Sequence, residues 1–184
     1  MKKLFLIVLV LAVSATATKA QFYIGGSLGF WHEKENTSFG ISPEVGYSFN
    51  NRWTAGLAIG FDYAVYTPAL SNLYRSEVIN FYAAPYARFH YFSKDKIKLF
   101  LDGVVGISTS TTETNNPSLP IEERKSTDLG FQIVIRPGIA INLTDHFSLM
   151  GTFGVLGYRY NYRDSNGWGL NLRNALSLGF YYSF

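Results

Sequence analysis

From Phe22 onward, large apolar residues alternate with small or polar ones at a period of two, the pattern of strands whose two faces meet different surroundings. Eight such segments follow one another. In the first, Phe22, Ile24, Leu28 and Phe30 oppose Gly25, Ser27 and Gly29; in the second, Phe39, Ile41, Val45, Tyr47 and Phe49 oppose Gly40, Ser42, Glu44, Gly46 and Ser48. The third sets Trp53, Leu57, Ile59, Phe61, Tyr63 and Val65 against Thr54, Gly56, Gly60 and Asp62. The fourth, over positions 77–92, sets Ile79, Phe81, Phe89 and Tyr91 against Asn80, Tyr82, Tyr86, Arg88 and His90. The fifth sets Leu99, Leu101, Val105 and Ile107 against Lys98, Asp102, Gly106 and Ser108; the sixth sets Phe131, Ile133, Ile135 and Ile139 against Gln132, Arg136 and Asn142. The seventh carries Phe147, Leu149, Phe153 and Val155, and the eighth Leu170, Leu172, Leu176, Leu178, Phe180, Tyr182 and Phe184 opposite Asn171, Arg173, Ser177, Gly179 and Ser183.

The connections alternate in length. Tight turns fall at Asn50-Asn51, at 93–96 and at Thr144-Asp145, whereas longer Ser-, Thr-, Asn- and charge-rich stretches occupy 32–38, 67–76, 110–127 and 161–167. Outer-membrane barrels have short periplasmic turns and longer external loops. The pattern therefore predicts an all-β chain: an eight-stranded antiparallel up-and-down transmembrane β-barrel with both ends of the sheet on the short-turn side.

An eight-stranded barrel is narrow enough for side chains to fill it. The polar face is rich in Gly, Ser and Thr, which suits a crowded interior, while the other face offers Leu, Ile, Val and Phe to lipid. Gly29-Phe30-Trp31 also fits the short G-x-W of soluble lipocalin-type barrels, but that reading leaves the alternating loop lengths and the aromatic ending at Phe184 unexplained. The inward face carries Glu44, Asp62 and Asp102 with Arg88, Arg136 and Arg173. Buried charges need partners, so this balance predicts an internal salt-bridge network that plugs the barrel; its rival is a selectivity-lining pore. Trp53, Tyr91, Phe147, Tyr182 and Phe184 are placed to form the periplasmic aromatic girdle, and Trp31, Tyr63, Tyr158, Tyr160 and Trp168 the outer one.

Ahead of the strands, Lys2 and Lys3 precede an apolar run over 4–13 and then small residues to Ala20. This is the form of a secretory signal peptide, too short for a membrane helix, so 1–20 is assigned as a leader cleaved after Ala20, or alternatively after Ala17, and 21–184 as the barrel. The leader accounts for Lys2, Lys3 and Lys19 among the 16 basic residues. Without them the charge balances, and a nucleic-acid partner based on net charge loses its support. The chain has no cysteine, which excludes disulfides and a lipidated N-terminus. No metal-ligand cluster or nucleotide fingerprint is present, and no cofactor is expected.

The opening Gln21-Phe22-Tyr23-Ile24-Gly25-Gly26-Ser27-Leu28-Gly29-Phe30 and the closing Leu176-Ser177-Leu178-Gly179-Phe180-Tyr181-Tyr182-Ser183-Phe184 resemble the outer membrane protein beta-barrel domain family, the small barrels of OmpA/OmpX type. The resemblance implies that the closing strand is read by the outer-membrane assembly machinery. Contact with lipid and lipopolysaccharide and a monomeric state are expected; the chain stops at Phe184, so the peptidoglycan-binding domain of two-domain members is not expected, a departure from them. Such barrels are similar in pattern while differing in role; this one is expected to be non-enzymatic. The 110–127 loop, with Glu113, Glu122, Glu123, Arg124 and Lys125, is the candidate interaction surface for structural or adhesive roles. Two alternatives are a small-solute channel and a lipid A-modifying enzyme using His32 and Ser38, oriented by Glu33 or Glu35.

Overall fold

The computed structural model describes residues 21–32, 36–67, 75–117, 120–161, 165–171 and 177–184. The leader, Arg173 and the side chain of Trp31 lie outside the described residues, as do Glu33 and Glu35. The strands are β1 (Gln21–His32), β2 (Asn36–Ser48), β3 (Trp53–Tyr66), β4 (Ser76–Lys94), β5 (Ile97–Thr114), β6 (Lys125–Asn142), β7 (Phe147–Thr152), β8 (Val155–Asn161), β9 (Ser165–Asn171) and β10 (Ser177–Ser183).

Consecutive strands pair antiparallel from β1 to β6; β7 then pairs with β6 and β10, and β10 pairs with β1, which closes the sheet. β8 continues the line of β7 along β6 and forms a hairpin with β9. The ring is thus an eight-stranded up-and-down barrel whose seventh strand is interrupted at Phe153 and Gly154. Gly154 adopts a left-handed φ of 75°, and the Phe153 N–H donates across to the Pro137 carbonyl at 3.0 Å. Closure removes every free edge at that level of the sheet.

Alternation along the strands sorts the side chains by face. On β5, Phe100, Asp102 and Val104 are buried whereas Leu101, Val105 and Ile107 are exposed. The same division runs round the ring: Phe22, Ile24, Ile41, Val45, Ile59, Phe81, Ile133, Ile135 and Phe180 all point outward and are exposed. The large apolar residues are therefore outside, the inverse of a water-soluble barrel.

The strands extend beyond the apolar pattern. β5 continues to Thr114 and β6 begins at Lys125, so the 110–127 loop is corrected to a connection over 115–124 containing a short 3-10 turn at Ile121–Glu123. The first long connection likewise shrinks, because β1 reaches His32 and β2 starts at Asn36. Thr- and Ser-rich segments such as 108–114 are polar on both faces, so their period disappears from the hydropathy while their β-branched residues still favour strand.

Candidate functional site

At the middle of the barrel, charged and aromatic side chains gather on the inner face. Arg88 on β4 faces Asp102 on β5, which faces Arg136 on β6, as the ladder registers dictate. The Arg88 guanidinium donates to both Asp102 oxygens, Nε to Oδ1 at 2.7 Å and Nη2 to Oδ2 at 3.0 Å. Both side chains are buried, while Arg136 approaches Asp102 more loosely at 3.6 Å and is 26% exposed. The bidentate fork supplies the charge-assisted hydrogen bonds that a dry ion pair requires.

Aromatic rings enclose this pair. The guanidinium carbon of Arg88 lies 4.1 Å from the centre of the Phe100 ring and 5.1 Å from that of Tyr86, within reach of cation–π attraction. Its third nitrogen contacts Met150 Sδ at 2.8 Å. Tyr23 and Tyr181 meet edge to face with centroids 5.8 Å apart. Tyr23 and Tyr86 share a hydroxyl-to-hydroxyl hydrogen bond, and Tyr86 also donates to Glu44 at 3.0 Å.

Each large ring has a glycine opposite it on a neighbouring strand. A Cβ at Gly46 would collide with Tyr23, at Gly56 with Tyr86, at Gly60 with Tyr82, at Gly25 with Tyr181, and at Gly138 with Phe100. Alternating small and large positions is how a small barrel packs its interior. The sequence pattern placed Gly25, Gly46, Gly56, Gly60, Tyr82 and Tyr86 on the inner face but gave no role to Gly138, Tyr23, Phe100 or Tyr181. Strict parity with Phe22, Leu101 and Tyr182 is the signal that finds the three rings.

Among the described residues, the inward charges are held in separate ways. Arg88, Asp102 and Arg136 form a connected group, Glu44 is held by a tyrosine hydroxyl, and Asp62 packs over Gly40 beside an open cavity. That cavity, of about 550 Å³, lies beyond the Arg88–Asp102 pair towards the longer connections and is lined in part by Glu44, Asp62, Asn80, Tyr82, Arg136 and Arg159. The lumen is a polar cup with an ionic and aromatic floor.

Of the residues expected in the girdles, Trp53 packs on Phe89, Tyr182 stacks on His146 and contacts Phe184, and Phe147 stacks on Phe180, all at the end with tight turns. At the other end Tyr158 contacts Trp168, and Tyr63 donates to Glu77. Tyr91 and Tyr160 are exposed. Glu113 and Lys125 are ladder partners at 3.6 Å rather than loop residues, and Glu122 and Glu123 occupy the 3-10 turn before Arg124. His32 bonds Thr37 at 2.8 Å, and among the described residues no hydrogen bond joins it to Ser38, the pair that a lipid-modifying reading needs. Among the described residues, no cluster of three or more His, Asp or Glu side chains could hold a metal.

A continuous outer band of exposed Leu, Ile, Val and Phe around a closed sheet is far larger than the apolar patches tolerated in water, and only a closed barrel satisfies its backbone in lipid. The model of the outer membrane protein beta-barrel domain family matches residues 4–184. The chain belongs to that family. It is an outer-membrane β-barrel protein. No curated protein matches it. Among solved structures, the family's barrel is similar to the attachment invasion locus protein Ail of Yersinia pestis bound to the heparin analogue sucrose octasulfate. That match has 15% identity and a TM-score of 0.50, covering 90% of this chain and 96% of the other. It is also similar to a major outer membrane protein from Thermus thermophilus, at 12% identity and TM-score 0.48 over 90% and 100%. A third likeness is Neisserial surface protein A, at 13% identity and TM-score 0.45 over 90% and 96%.

Proposed function

We propose that this protein is a non-enzymatic, non-conducting barrel, exported by cleavage of residues 1–20, that presents its longer connections at the cell surface for structural or adhesive contacts. The supporting observation is the cluster of Arg88, Asp102, Phe100 and Tyr86, all buried inside the barrel with Arg88 and Asp102 paired at 2.7 Å. An eight-stranded barrel has little interior beyond what side chains occupy, which argues against the small-solute channel. The tight-turn end faces the periplasm and the 115–124 hairpin faces outward, following the asymmetry of such barrels. Lipid and lipopolysaccharide surround the apolar band, the assembly machinery engages the closing strand, and the barrel acts as a monomer.

Planar-bilayer recordings test the reading, combined with adhesion of cells in which 115–124 is replaced by a short Gly-Ser turn. The expected result is no steady conductance, together with weakened adhesion. Stable unitary currents would replace this reading by the channel, and unchanged adhesion would remove the role of the hairpin.

A further inference from the structure

A second cavity lies at the opposite end of the lumen, below the floor. It has a volume of about 430 Å³ and is lined by Asn51, Arg52, His90, Tyr91, Ser93 and Lys98. Three of these six are basic side chains, drawn from the turn before β3, from β4 and from β5, and no carboxylate is among them.

Their convergence follows from the ladder. The His90 N–H donates to the Arg52 carbonyl at 2.8 Å, so those residues sit side by side. His90 faces Phe100 on β5, and Ser93 faces Lys98. Between these two pairings the register shifts at His90/Phe92, inserting Tyr91 as an extra residue. Such bulges re-aim side chains and occur preferentially at barrel rims and beside functional sites. Here the bulge opens the wall of this pocket.

The polar groups in the pocket are left with unused capacity. His90 Nδ1 is buried with no hydrogen-bond partner. Among the described residues, neither Arg52 nor Lys98 takes part in an ion pair, although Arg75, Arg88, Lys125 and Arg136 do. Like charges gathered in a partly desolvated recess raise one another's energy, and an anion relieves this. An arginine fork, an ammonium and an imidazole, joined by the Ser93 hydroxyl and the Asn51 amide, match the tetrahedral oxygens of a phosphate group.

We infer that the mouth of the barrel at the tight-turn end is an oxyanion site that binds a phosphate group, held by Arg52, Lys98 and His90. On the orientation proposed above, the site opens to the periplasm, where the phosphate is either a free anion or the headgroup of an inner-leaflet phospholipid. Binding itself does not depend on that orientation, nor on whether the lumen conducts.

The test uses protein extracted from outer membranes into dodecyl maltoside, which carries no phosphate, with histidine-selective NMR at fixed pH and ionic strength. Titration with inorganic phosphate, and separately with phosphatidylglycerol in the micelle, is expected to move the His90 resonance saturably, while His146 and His32 remain in place. Saturation by phosphate identifies a soluble anion, and saturation by phosphatidylglycerol alone identifies a lipid headgroup; either supports the site. The paired substitution Arg52→Gln with Lys98→Gln should weaken binding at least tenfold, and Lys98→Arg should retain it. Heat-shifted gel mobility checks that the variants fold. If neither titrant moves His90 in the unaltered protein, or if the double variant binds as well as the parent, the site does not exist.

Discussion

Asp102 is the side chain on which the floor of the lumen turns. Both of its oxygens accept from Arg88, one also faces Arg136, and it has no exposure to water. Removing one member of a buried pair leaves its partner charged and unsatisfied, at a cost of about 3–5 kcal/mol. Asp102→Asn should therefore lower stability by roughly that amount in urea unfolding from lipid or detergent, whereas Arg136→Gln, at a partly hydrated position, should cost about 1 kcal/mol or less. Equal effects of the two would show that the Arg88 pair is not the dry one. The contact between Arg88 and Asp102 could be anticipated, because the tight turn at 93–96 lets the register be counted outward from it. Tyr23, Phe100 and Tyr181 could not be placed by hydropathy, since an aromatic ring is as compatible with lipid as with the lumen. Only backbone parity distinguishes the two.

At the level of whole strands, periodicity was informative wherever one face met lipid, and it failed where both faces met water. That is why β5 and β6 outrun the apolar pattern to Thr114 and Lys125, and why the hairpin between them contracts to 115–124. The break between β7 and β8 was equally hidden, because Phe153 and Val155 keep the alternation going across it. Its mark is conformational: Gly154 holds a φ of 75°, where an L side chain costs about 1–2 kcal/mol. Gly154→Ala is expected to destabilise the barrel by that amount in the same unfolding assay. Gly29→Ala, with open space around a new methyl group, should be nearly neutral. A neutral Gly154→Ala would mean that the seventh strand tolerates straightening.

For the molecule as a whole, the two ends differ in what they offer a protease. Arg124 and Lys125 mark the long hairpin at one end, whereas Arg52, Lys94 and Lys96 sit at the tight-turn end. Trypsin added to intact cells should cut near Arg124 and spare the other end, with both susceptible in broken membranes; mapping the fragments by mass distinguishes these patterns. Cleavage at Lys94 or Lys96 in intact cells would invert the proposed orientation. The fold, its closure and its handed arrangement of loops were legible in the alternation and in the spacing of turns. The division of the lumen into a cup, a floor and a basic mouth was not, since it depends on how far around the ring each register carries a side chain.

The pairing of each luminal ring with a glycine across the ladder has a consequence for how such an interior can change over generations. Enlarging Gly46, Gly56 or Gly138 alone drives a methyl group into Tyr23, Tyr86 or Phe100. Shrinking a ring alone leaves a void that nothing nearby is free to fill. Drift inside the barrel must therefore proceed by compensated double replacements, whereas the lipid-facing positions can exchange one aliphatic residue for another singly. The heritable unit of this architecture is a ring with its glycine, two residues on different strands passed on together.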